Sequence, residues 1–466
     1  MSTDLRMEPP IQATGETEKL REGSKERKAE PSLPVKTKVR VGYILSRFPK
    51  LTETFILFEM IGVEKQGIDI ELFPLLRVKE SAIHPEGASI WKKLLERLSP
   101  ANGKILMHPE AVRFVERAHY LPFFSWPIFK AQIHTLLRRP GKYFGALWAL
   151  VRSNWGSSNY LAGALSIFPK TVLIAKWMEE NSIDHVHAHF ANHPAAAAFI
   201  IHQLTGIPYS FTAHGADLQV DQHMLIEKVR DAAFVVTISN YNQNFILEKC
   251  GEQYRDKVVV IHCGVDTQHF NPGDLSDKDG IFKILCIGTL YEVKGQTYLI
   301  EACQILKEKG IAFRCDLVGD GPFRQKLEQQ VLEFGLKNEV IFHGQQTRQR
   351  ISEMLNQANV LVVPSIPTSS GRREGIPVVL MEAMSSAVAV VASGISGIPE
   401  LVEDGVGGIL VPPRDPEALA RALQSLSIDP KLGRRLGKAG RKKVLAEFDL
   451  EKNAAELTDR FQGGQS

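Results

Sequence analysis

Two glutamates eight positions apart, Glu374 and Glu382, enclose the segment of the chain with the most chemical content. Gly375 allows the backbone to approach a ligand closely, and Pro377 suits the first position of a helix, where its missing N–H would be unpaired anyway. We therefore predict a helix that begins near Pro377. Its free N–H groups and positive dipole end suit a diphosphate, while Glu374 would address a neutral, hydroxylated group nearby.

The residues around this pair predict a strand, a loop, a helix and a second strand in that order. Apolar, β-branched runs at 360–365 and 388–393 have the length and composition of buried strands. Glu382 would lie two turns into the helix and project toward a ligand that crosses its start. Two acidic residues at this spacing can also mark a solvated helix face, so the interpretation depends on the flanking strands.

Length and composition limit the classes of protein to consider. The 466 residues, of which 44% are hydrophobic, suffice for two domains of ordinary size. A net charge of +3 gives no reason to expect nucleic acid as a partner. The five cysteines form no C-x-x-C pair, which argues against a disulfide framework or a zinc site and fits a reducing compartment.

Residues 1–37 are rich in Glu, Lys, Arg, Pro and Ser, a composition that predicts a disordered tail. They lack the apolar stretch of a signal peptide, and no later run reaches the roughly 18 apolar residues of a membrane-spanning helix. We therefore expect a cytoplasmic protein that is soluble or peripheral on the inner face of a membrane.

Strand and helix signals alternate along the rest of the chain, which predicts an α/β protein with two domains. The first domain spans 38–268 with a helical insertion at about 80–180, the second spans 269–445, and a final helix lies within 446–466. Strands are predicted at 38–45, 68–73, 185–190, 209–212, 234–238, 282–288, 315–321 and 340–344. Repeated crossovers imply parallel sheets, and two facing domains would bind a ligand in the cleft at the carboxyl ends of their strands.

Two loops of the second domain are candidates for phosphate binding. Lys294 and Gly295 follow the strand that ends at Gly288, where a lysine can neutralise a departing diphosphate. The Gly-Asp-Gly-Pro turn at 319–322 follows the next strand. Each is also compatible with an ordinary surface loop.

Histidines mark the strands of the first domain. His214 comes directly after a predicted strand and should lie at the rim of the cleft. His187 and His189 alternate along another strand and therefore share a face, where they could bind an acceptor or a metal, or be structural. Since the sequence offers no third ligand, we favour an acceptor or structural role.

The order and spacing of these motifs resemble the retaining glycosyltransferases of family 4, which have the GT-B architecture of two facing Rossmann-like domains. The resemblance covers residues 38–463, and the segments at 46–49, 53–55, 187–190 and 262–266 are similar to the exopolysaccharide and colanic-acid branch. It implies transfer of a hexose from a nucleoside diphosphate sugar, with retention of configuration, to a lipid-linked or saccharide acceptor. It also implies that the last helix crosses back onto the first domain.

The resemblance further implies roles for individual residues. Glu374 would contact the transferred sugar, Glu382 would hold the ribose, and Lys294 would grip the diphosphate. Catalysis would depend on His214, Glu374 and Lys294. The donor side would comprise Gly288, Thr289, Lys294, Gly319, Gly321, His343, Gly344, Glu374, Gly375, Ile376, Pro377, Val378 and Glu382. The acceptor side would comprise Arg47, Thr52, His187, His189 and Asp217.

One position departs from the family pattern. Thr289 stands where the family has an arginine that also grips the diphosphate, and Arg47, Arg372 or Arg373 could replace it. The Asp-Lys-Asp triplet at 277–279 matches Asp-x-Asp, the cation-binding motif of glycosyltransferases with the other large fold. It falls in a polar linker rather than after an apolar strand. Neither a metal ion nor another cofactor is therefore expected.

Two other functions remain open at this point. The same fold serves enzymes that epimerise or hydrolyse nucleotide sugars without an acceptor. A non-catalytic sugar-binding protein is the second alternative, and the presence of Lys294, Glu374 and Glu382 together argues against it.

The insertion is predicted to dock on an anionic membrane surface. Aromatic rings suit the headgroup boundary, and cations are attracted to anionic lipid. The region holds the rings of Tyr120, Phe123, Phe124, Trp126, Phe129, Tyr143, Phe144, Trp148 and Trp155 beside the cations Lys130, Arg138, Arg139, Lys142 and Arg152. The alternative is that these aromatic residues pack the first domain.

Overall fold

Two six-stranded sheets organise the residues that the computed structural model describes, which are 38–50, 53–77, 108–219, 222–273, 280–369 and 371–463. The predicted tail at 1–37 and the linker triplet at 277–279 lie outside these ranges. Within each sheet, all neighbouring strands are parallel. The predicted α/β class with parallel sheets is confirmed.

The first sheet has the strand order β2-β1-β3-β4-β5-β6. Its strands are β1 (Arg40–Phe48), β2 (Asp69–Arg77), β3 (His185–His189), β4 (Tyr209–Ala213), β5 (Phe234–Thr237) and β6 (Val258–Val260). Every residue of β3, β4 and β5 is buried, as expected when helices cover both faces of a parallel sheet. The strand order reverses between β1 and β3, a point where such sheets place ligands.

The helices of this domain are Thr54–Lys65, Val112–Arg117, Trp126–Arg138, Pro140–Ser153, Ser158–Glu180, His193–Thr205, Ala216–Gln219, Leu225–Asp231 and Asn240–Cys250, with short 3₁₀ turns at Pro109–Ala111 and Glu252–Tyr254. Within the range predicted for the insertion, about 80–180, the described residues from Pro109 onward are largely helical. Residues 78–107 lie outside the described ranges.

The helix Ser158–Glu180 is long and apolar enough to cross a membrane by length and composition, which the sequence analysis did not anticipate. Half of its apolar window is nevertheless buried inside the protein. Lys170, in the middle of the helix, is buried and donates to the carbonyl oxygen of Leu75 in β2 at 2.7 Å. These contacts are those of a core helix.

The second sheet has the strand order β12-β11-β10-β7-β8-β9. Its strands are β7 (Phe282–Ile287), β8 (Phe313–Val318), β9 (Val340–Gly344), β10 (Val360–Val363), β11 (Ala389–Ser393) and β12 (Ile409–Val411), of which β12 was not predicted. A 3₁₀ turn at Glu292–Lys294 precedes the helices Gln296–Glu308, Arg324–Glu333, Arg348–Gln357, Val378–Ser385, Ile398–Leu401, Pro416–Ile428 and Pro430–Glu447. The order reverses between β7 and β10, whose following loops carry Lys294 and Glu374.

The last helix, Leu450–Phe461, packs on the first domain. A Cβ atom added to Gly62 in the helix Thr54–Lys65 would lie 2.6 Å from the Cβ of Ala454, so the two helices touch closely. The ring of Phe461 lies against those of Tyr43 and His187, with centroid distances of 6.3 and 5.3 Å.

Candidate active site

Lys294 and Glu374 form an ion pair in which Nζ lies 2.9 Å from Oε2, with 21% and 15% of their side chains exposed. The lysine side chain runs over Gly288, where an added Cβ would lie 3.5 Å from Lys294 Cδ and Cε. Gly295 has φ +65°, and a Cβ there would lie 1.9 Å from the carbonyl oxygen of Pro364. The loops after β7 and β10 therefore interlock at the point where the strand order reverses.

Gly319 and Gly321 pack backbone against backbone with the loop after β7. A Cβ added to Gly319 would lie 2.0 Å from the carbonyl oxygen of Gly288, and one added to Gly321 would lie 2.5 Å from that of Leu290. Thr289 lies between those two contacts. The glycines thus bring the two loops together, whether or not a ligand lies above them.

His343 and Gly344 extend this edge of the sheet toward β9. The Nε2 atom of His343 lies 2.6 Å from Oδ1 of Asp316 on the neighbouring strand, so the imidazole has a partner within the sheet. The carbonyl oxygen of Gly344 accepts from the N–H of Gly319 at 2.8 Å. The donor-side residues at the ends of β7, β8 and β9 therefore form one continuous edge.

Arg324 is a cation at this edge that the sequence analysis missed. Its Nη1 lies 3.8 Å from Asp320 Oδ2, and its Nε donates to Glu328 at 2.8 Å. A Cβ added to Gly344 would lie 3.8 Å from the same Nη1. Arg324 thus brings positive charge to the glycine loops, next to the segment in which Thr289 replaces the expected arginine. The signal in the sequence was its place two residues after the Gly-Asp-Gly-Pro turn.

The three arginines named as substitutes lie in different settings. Arg47 is exposed at the end of β1. Arg373 precedes Glu374, and its Nη1 donates to the hydroxyl oxygen of Tyr241 in the first domain at 3.2 Å. Arg372 is exposed, and its carbonyl oxygen accepts from Thr368. Of the three, Arg373 is adjacent in sequence to the Lys294–Glu374 pair.

The segment after Glu374 lies against the first domain. A Cβ added to Gly375 would lie 2.8 Å from the carbonyl oxygen of His214. Ile376 is buried, Pro377 is the N-cap with an extended backbone, and the helix begins at Val378, one residue from the predicted position. This arrangement places the helix start, Glu374 and His214 in one region where the domains meet.

Glu400 makes a second contact between the domains. Its carboxylate accepts from the backbone N–H groups of Asn240 and Tyr241 at 2.7 Å each, and from the Asn240 side chain at 3.0 Å. Those N–H groups belong to the first turn of the helix Asn240–Cys250, where an anion is favoured by the helix dipole. The contact stabilises the domains in the arrangement described.

Glu382 lies about one turn along the helix Val378–Ser385, not the two turns predicted, and is partly buried. Burial raises the pKa of its carboxyl to about 7, and the guanidinium of Arg348 opposes this shift. Arg348 pairs with Asp266 at 3.0 Å and lies 4.3 Å from the ring centre of Phe58 in the first domain. Glu382 therefore carries a carboxyl that is costly to ionise without a ligand.

This raised pKa has a testable consequence for stability. The folded state holds the Glu382 proton more tightly than the unfolded chain, so the contribution to stability is present below about pH 4.5 and is lost as pH rises through 7. Glu382→Gln should therefore raise the free energy of unfolding at pH 8 by about 1–2 kcal/mol, discounted for the partial exposure of the residue, and change it little at pH 4.5. Denaturant unfolding at both pH values measures this, with exposed Glu417→Gln as control. An equal effect at both pH values would contradict it.

His214 lies at the end of a chain of hydrogen bonds in the first domain. Its Nε2 lies 3.0 Å from Nδ1 of His189, and Nε2 of His189 lies 3.0 Å from Oε1 of Glu59. The hydroxyl of Tyr43 donates to the same Glu59 oxygen at 3.3 Å. Neither Tyr43 nor Glu59 was singled out from the sequence, although Glu59 is an acidic residue within an otherwise apolar helical run.

His187 shares the face of His189, as predicted, but has its own partners. Its Nδ1 lies 2.8 Å from Ser210 Oγ, and its Nε2 lies 3.0 Å from Thr212 Oγ1. His187, His189 and Glu59 are close enough to hold a metal ion, with ligand atoms within 4.8 Å of one another. Both ring nitrogens of His187 are already paired within the fold, so the cluster is satisfied by hydrogen bonds.

Asp217 organises the loop that carries His214. Its buried carboxylate accepts from the backbone N–H groups of Ala191 at 2.6 Å, His214 at 3.0 Å and Gly215 at 2.8 Å. Burial raises the pKa of this carboxyl, and the backbone donors oppose that effect. These contacts tie the ends of β3 and β4 together.

Arg47, another predicted acceptor-side residue, lies near the end of β1. Arg47 lines a small cavity together with Lys50, Glu53 and His108. Thr52 lies outside the described residues. Neither His189 nor His214 lines this cavity.

Two family models match adjacent parts of the chain. The model of glycosyltransferase family 4 matches residues 132–269, and that of glycosyl transferases group 1 matches residues 268–443. The chain thus carries a family 4 glycosyltransferase domain followed by a domain of the glycosyl transferases group 1. The resemblance noted in the sequence is thereby confirmed, and the two models meet where the chain passes from the first sheet to the second.

Relatives of this chain are named for the synthesis of bacterial polysaccharides. It is 37% identical over 209 residues to WcaL of Escherichia coli, a protein named for colanic acid biosynthesis, with 45% of this chain and 52% of WcaL covered. It is 32% identical over 264 residues to the amylovoran biosynthesis glycosyltransferase AmsK of Erwinia amylovora, covering 53% of this chain and 63% of AmsK. The match thus spans only about half to two thirds of these relatives.

Solved structures with the same fold cover nearly the whole chain. The Anabaena protein HepE, crystallised in complex with UDP, superposes with a TM-score of 0.64 at 16% identity, covering 91% of this chain and all of HepE. Sucrose-phosphate synthase of Thermosynechococcus elongatus gives a TM-score of 0.62 at 19% identity, covering 91% of this chain and 99% of that enzyme. At these identities the likeness establishes the fold, and the expected GT-B architecture is confirmed.

Proposed function

We propose that this protein transfers a hexose from a nucleoside diphosphate sugar to an acceptor, with retention of configuration, in the synthesis of a cell-surface polysaccharide. The main support is the ion pair of Lys294 and Glu374, whose Nζ and Oε2 atoms lie 2.9 Å apart. The pair lies beside the backbone of Gly375, which packs against His214. This arrangement offers a cation for a diphosphate and a carboxylate for sugar hydroxyls in one place. The relatives named for colanic acid and amylovoran synthesis support the polysaccharide context.

Electrostatic stabilisation is the proposed catalytic device. Negative charge builds on the diphosphate as the sugar departs, and groups fixed before the reaction stabilise it without reorganisation. Lys294 and the N–H groups at the start of the helix Val378–Ser385 would supply that charge, with Arg324 or Arg373 as a second cation. The acceptor would attack on the face from which the diphosphate leaves, and no metal ion is required in this scheme.

The HepE structures in complex with UDP and with UDP-glucose make uridine nucleotides the first donors to test. Ribose hydroxyls would be held by Glu382, whose carboxylate would accept hydrogen bonds from them. The base would lie near the backbone of His343 and Gly344. Donor identity is best assayed over several nucleotides and sugars.

One assay tests the proposal and separates its alternatives. Release of nucleoside diphosphate is measured from a panel of UDP-, GDP- and ADP-sugars, with and without a lipid-linked saccharide acceptor. We expect release that depends on the acceptor. Release of free sugar or of an epimer from the donor alone would indicate a hydrolase or epimerase, and binding without turnover would indicate a sugar-binding protein.

We also propose that the enzyme works on the inner face of a membrane, where a lipid-linked acceptor is met. The aromatic side chains that favour this are exposed: Phe124 by 93%, Trp155 by 75% and Trp148 by 66%. Two other rings of the set pack within the first domain instead. The hydroxyl of Tyr120 donates to the carbonyl oxygen of Phe48, and that of Tyr143 donates to Gln132, both at 3.1 Å. Most of the predicted ring set therefore remains available to a surface.

The cations of this region divide in the same way. Arg139 pairs with Glu179 at 2.8 Å and also donates to the carbonyl oxygen of Leu204, so it stabilises the fold. Lys130, Lys142 and Arg152 are exposed beside the exposed rings, and Lys130 lies 5.5 Å from the ring centre of Trp126. Exposed rings next to exposed cations suit the headgroup region of an anionic bilayer.

Flotation with liposomes tests this docking. Changing Arg138, Lys142 and Arg152 together to glutamate should reduce binding to anionic liposomes by at least about tenfold, since each cation near the surface is worth about 1 kcal/mol. A matched control changes the exposed Lys249, Lys337 and Arg421 to glutamate and should bind as the wild type does. Equal flotation with neutral and anionic liposomes, or equal losses in both variants, would refute the docking surface.

A further inference from the structure

The face of the helix Thr54–Lys65 that points toward the sheet brings two side chains to the paired histidines. Phe55 and Glu59 are one turn apart. The ring of Phe55 lies 4.8 Å from that of His214, and Glu59 accepts from the next imidazole, His189. Phe190, at φ +77°, places its ring centre 4.8 Å from that of the same imidazole. The His214 imidazole is thus held by aromatic rings and by one hydrogen bond from its Nε2 side.

The hydrogen bonds of this chain fix which nitrogen carries each proton. A carboxylate only accepts, so Glu59 requires N–H at Nε2 of His189. A neutral imidazole has one donor and one acceptor, so Nδ1 of His189 accepts and Nε2 of His214 must donate. Burial, and secondarily the neighbouring His189, hold the pKa of His214 well below its usual range, which keeps this imidazole neutral. Its Nδ1 is then a bare lone pair.

We propose that Glu59 and His189 are positioning residues that hold His214 with Nδ1 as a hydrogen-bond acceptor for a hydroxyl of the donor sugar. The inference rests on the proposed function for its ligand, but the proton arrangement is a property of the protein itself. The first domain would then recognise a sugar hydroxyl through His214, while Glu374 would contact the sugar from the other side of the cleft. Donors with a hydroxyl at that position would be favoured over deoxy analogues.

Two observations point to a ligand group at this nitrogen. The Nδ1 atom of His214 is buried and has no hydrogen-bond partner among the described residues, a state that costs free energy unless a donor is supplied. The backbone of the same residue lies against Gly375, next to Glu374, which is the proposed sugar contact. A hydroxyl that moves the Phe55 or Phe190 ring aside would satisfy the nitrogen.

The proton arrangement is tested on the full chain without ligand. With ¹⁵N-labelled histidine, long-range proton–nitrogen correlation spectra distinguish protonated from bare ring nitrogens, and the His214 signals are those lost in His214→Gln. We expect a neutral His214 with a bare Nδ1 in the wild type and in Glu59→Gln, whose amide oxygen can still accept. Glu59→Ala should give a mixture of both tautomers. Glu64→Ala, on the same helix but paired with Arg117, is the control and should change nothing.

A wild-type His214 that carries its proton on Nδ1 or on both nitrogens would overturn the inference, as would an unchanged tautomer in Glu59→Ala. If Glu59→Ala does not fold, His189→Ala replaces it, since alanine has no side-chain acceptor for Nε2 of His214. The spectra of all variants are recorded at pH 8.

Binding supplies the functional half of the test. Calorimetry should show that Glu59→Ala lowers the affinity for UDP-glucose about tenfold, the loss of one hydrogen bond, while UDP, which lacks the sugar, binds as to the wild type. Glu59→Gln should restore most of the difference. Equal losses of affinity for UDP and for UDP-glucose would show that the hydrogen bonds linking Glu59, His189 and His214 have only a structural role. Failure of the wild type to bind either probe would contradict the proposed uridine donor, and the spectra would still decide the tautomer.

Discussion

Replacing Lys294 with alanine should lower kcat by about 10²–10³-fold, the loss measured when one group that stabilises a developing anion is removed. The lysine now neutralises Glu374 at 2.9 Å, and a bound diphosphate would draw on the same charge. Because that charge is needed most as the sugar departs, turnover should fall more than donor affinity. Initial rates over a range of donor concentrations separate the two.

The controls exclude a loss of structure. Lys278→Ala, in the linker triplet outside the described residues, should retain wild-type activity. Glu374→Gln breaks the same ion pair, so it shows what the absence of the pair does to thermal unfolding. Activity should persist in EDTA, since Lys294 and the helix start supply the positive charge. A strict requirement for a divalent cation, or wild-type turnover in Lys294→Ala, would contradict the mechanism.

The fold could be predicted because its signals are local. Apolar runs bounded by turn residues marked most strands, and parallel pairing followed from the alternation of strands and helices. The meeting of Lys294 with Glu374, which are 80 positions apart, followed from the same rule, since loops at the carboxyl ends of neighbouring strands share one edge. The three-residue strands Val258–Val260 and Ile409–Val411 were not predicted, because they are too short to carry such a signal.

The partners of the histidines could not be predicted in this way. That Glu59 reaches His189 depends on how the helix Thr54–Lys65 is rotated against the sheet. Most of that helix is apolar, so periodicity does not single out its inner face. The hydrogen bonds of His187 to Ser210 and Thr212 depend on the register of β3 against β4. That register pairs His187 with Ser210 and His189 with Thr212. Register is a property of the assembled sheet.

The aromatic insertion shows a different limit. Its helices contain rings and cations in similar proportion on several sides, so composition predicted either packing or exposure. The structure divides the set: the Tyr143 ring packs edge-on against Phe168 at 5.3 Å, while the neighbouring Phe144 is 58% exposed. One of two adjacent rings is thus packed and the other is exposed, because a helix turns about 100° from one residue to the next.

Replacing Glu382 with alanine should weaken binding of the donor nucleotide about 10–100-fold, because a carboxylate that accepts from two ribose hydroxyls contributes roughly 1.5–3 kcal/mol. Calorimetry with the nucleoside diphosphate that the donor panel identifies measures this directly. Glu374→Ala is the matched control, since it removes a carboxylate from the same segment that should face the sugar. It should leave nucleotide affinity nearly unchanged and lower turnover.

The pH dependence of binding gives the same residue a second, independent test. The carboxyl of Glu382 has a pKa of about 7 without ligand, and only the ionised form accepts from both hydroxyls. Nucleotide binding should therefore release a proton near neutral pH, and affinity should fall as pH drops from 8 to 6. In Glu382→Ala this part of the pH dependence should disappear, leaving the titration of the phosphate itself. Identical affinities and identical pH profiles in the wild type and Glu382→Ala would remove Glu382 from the nucleotide site.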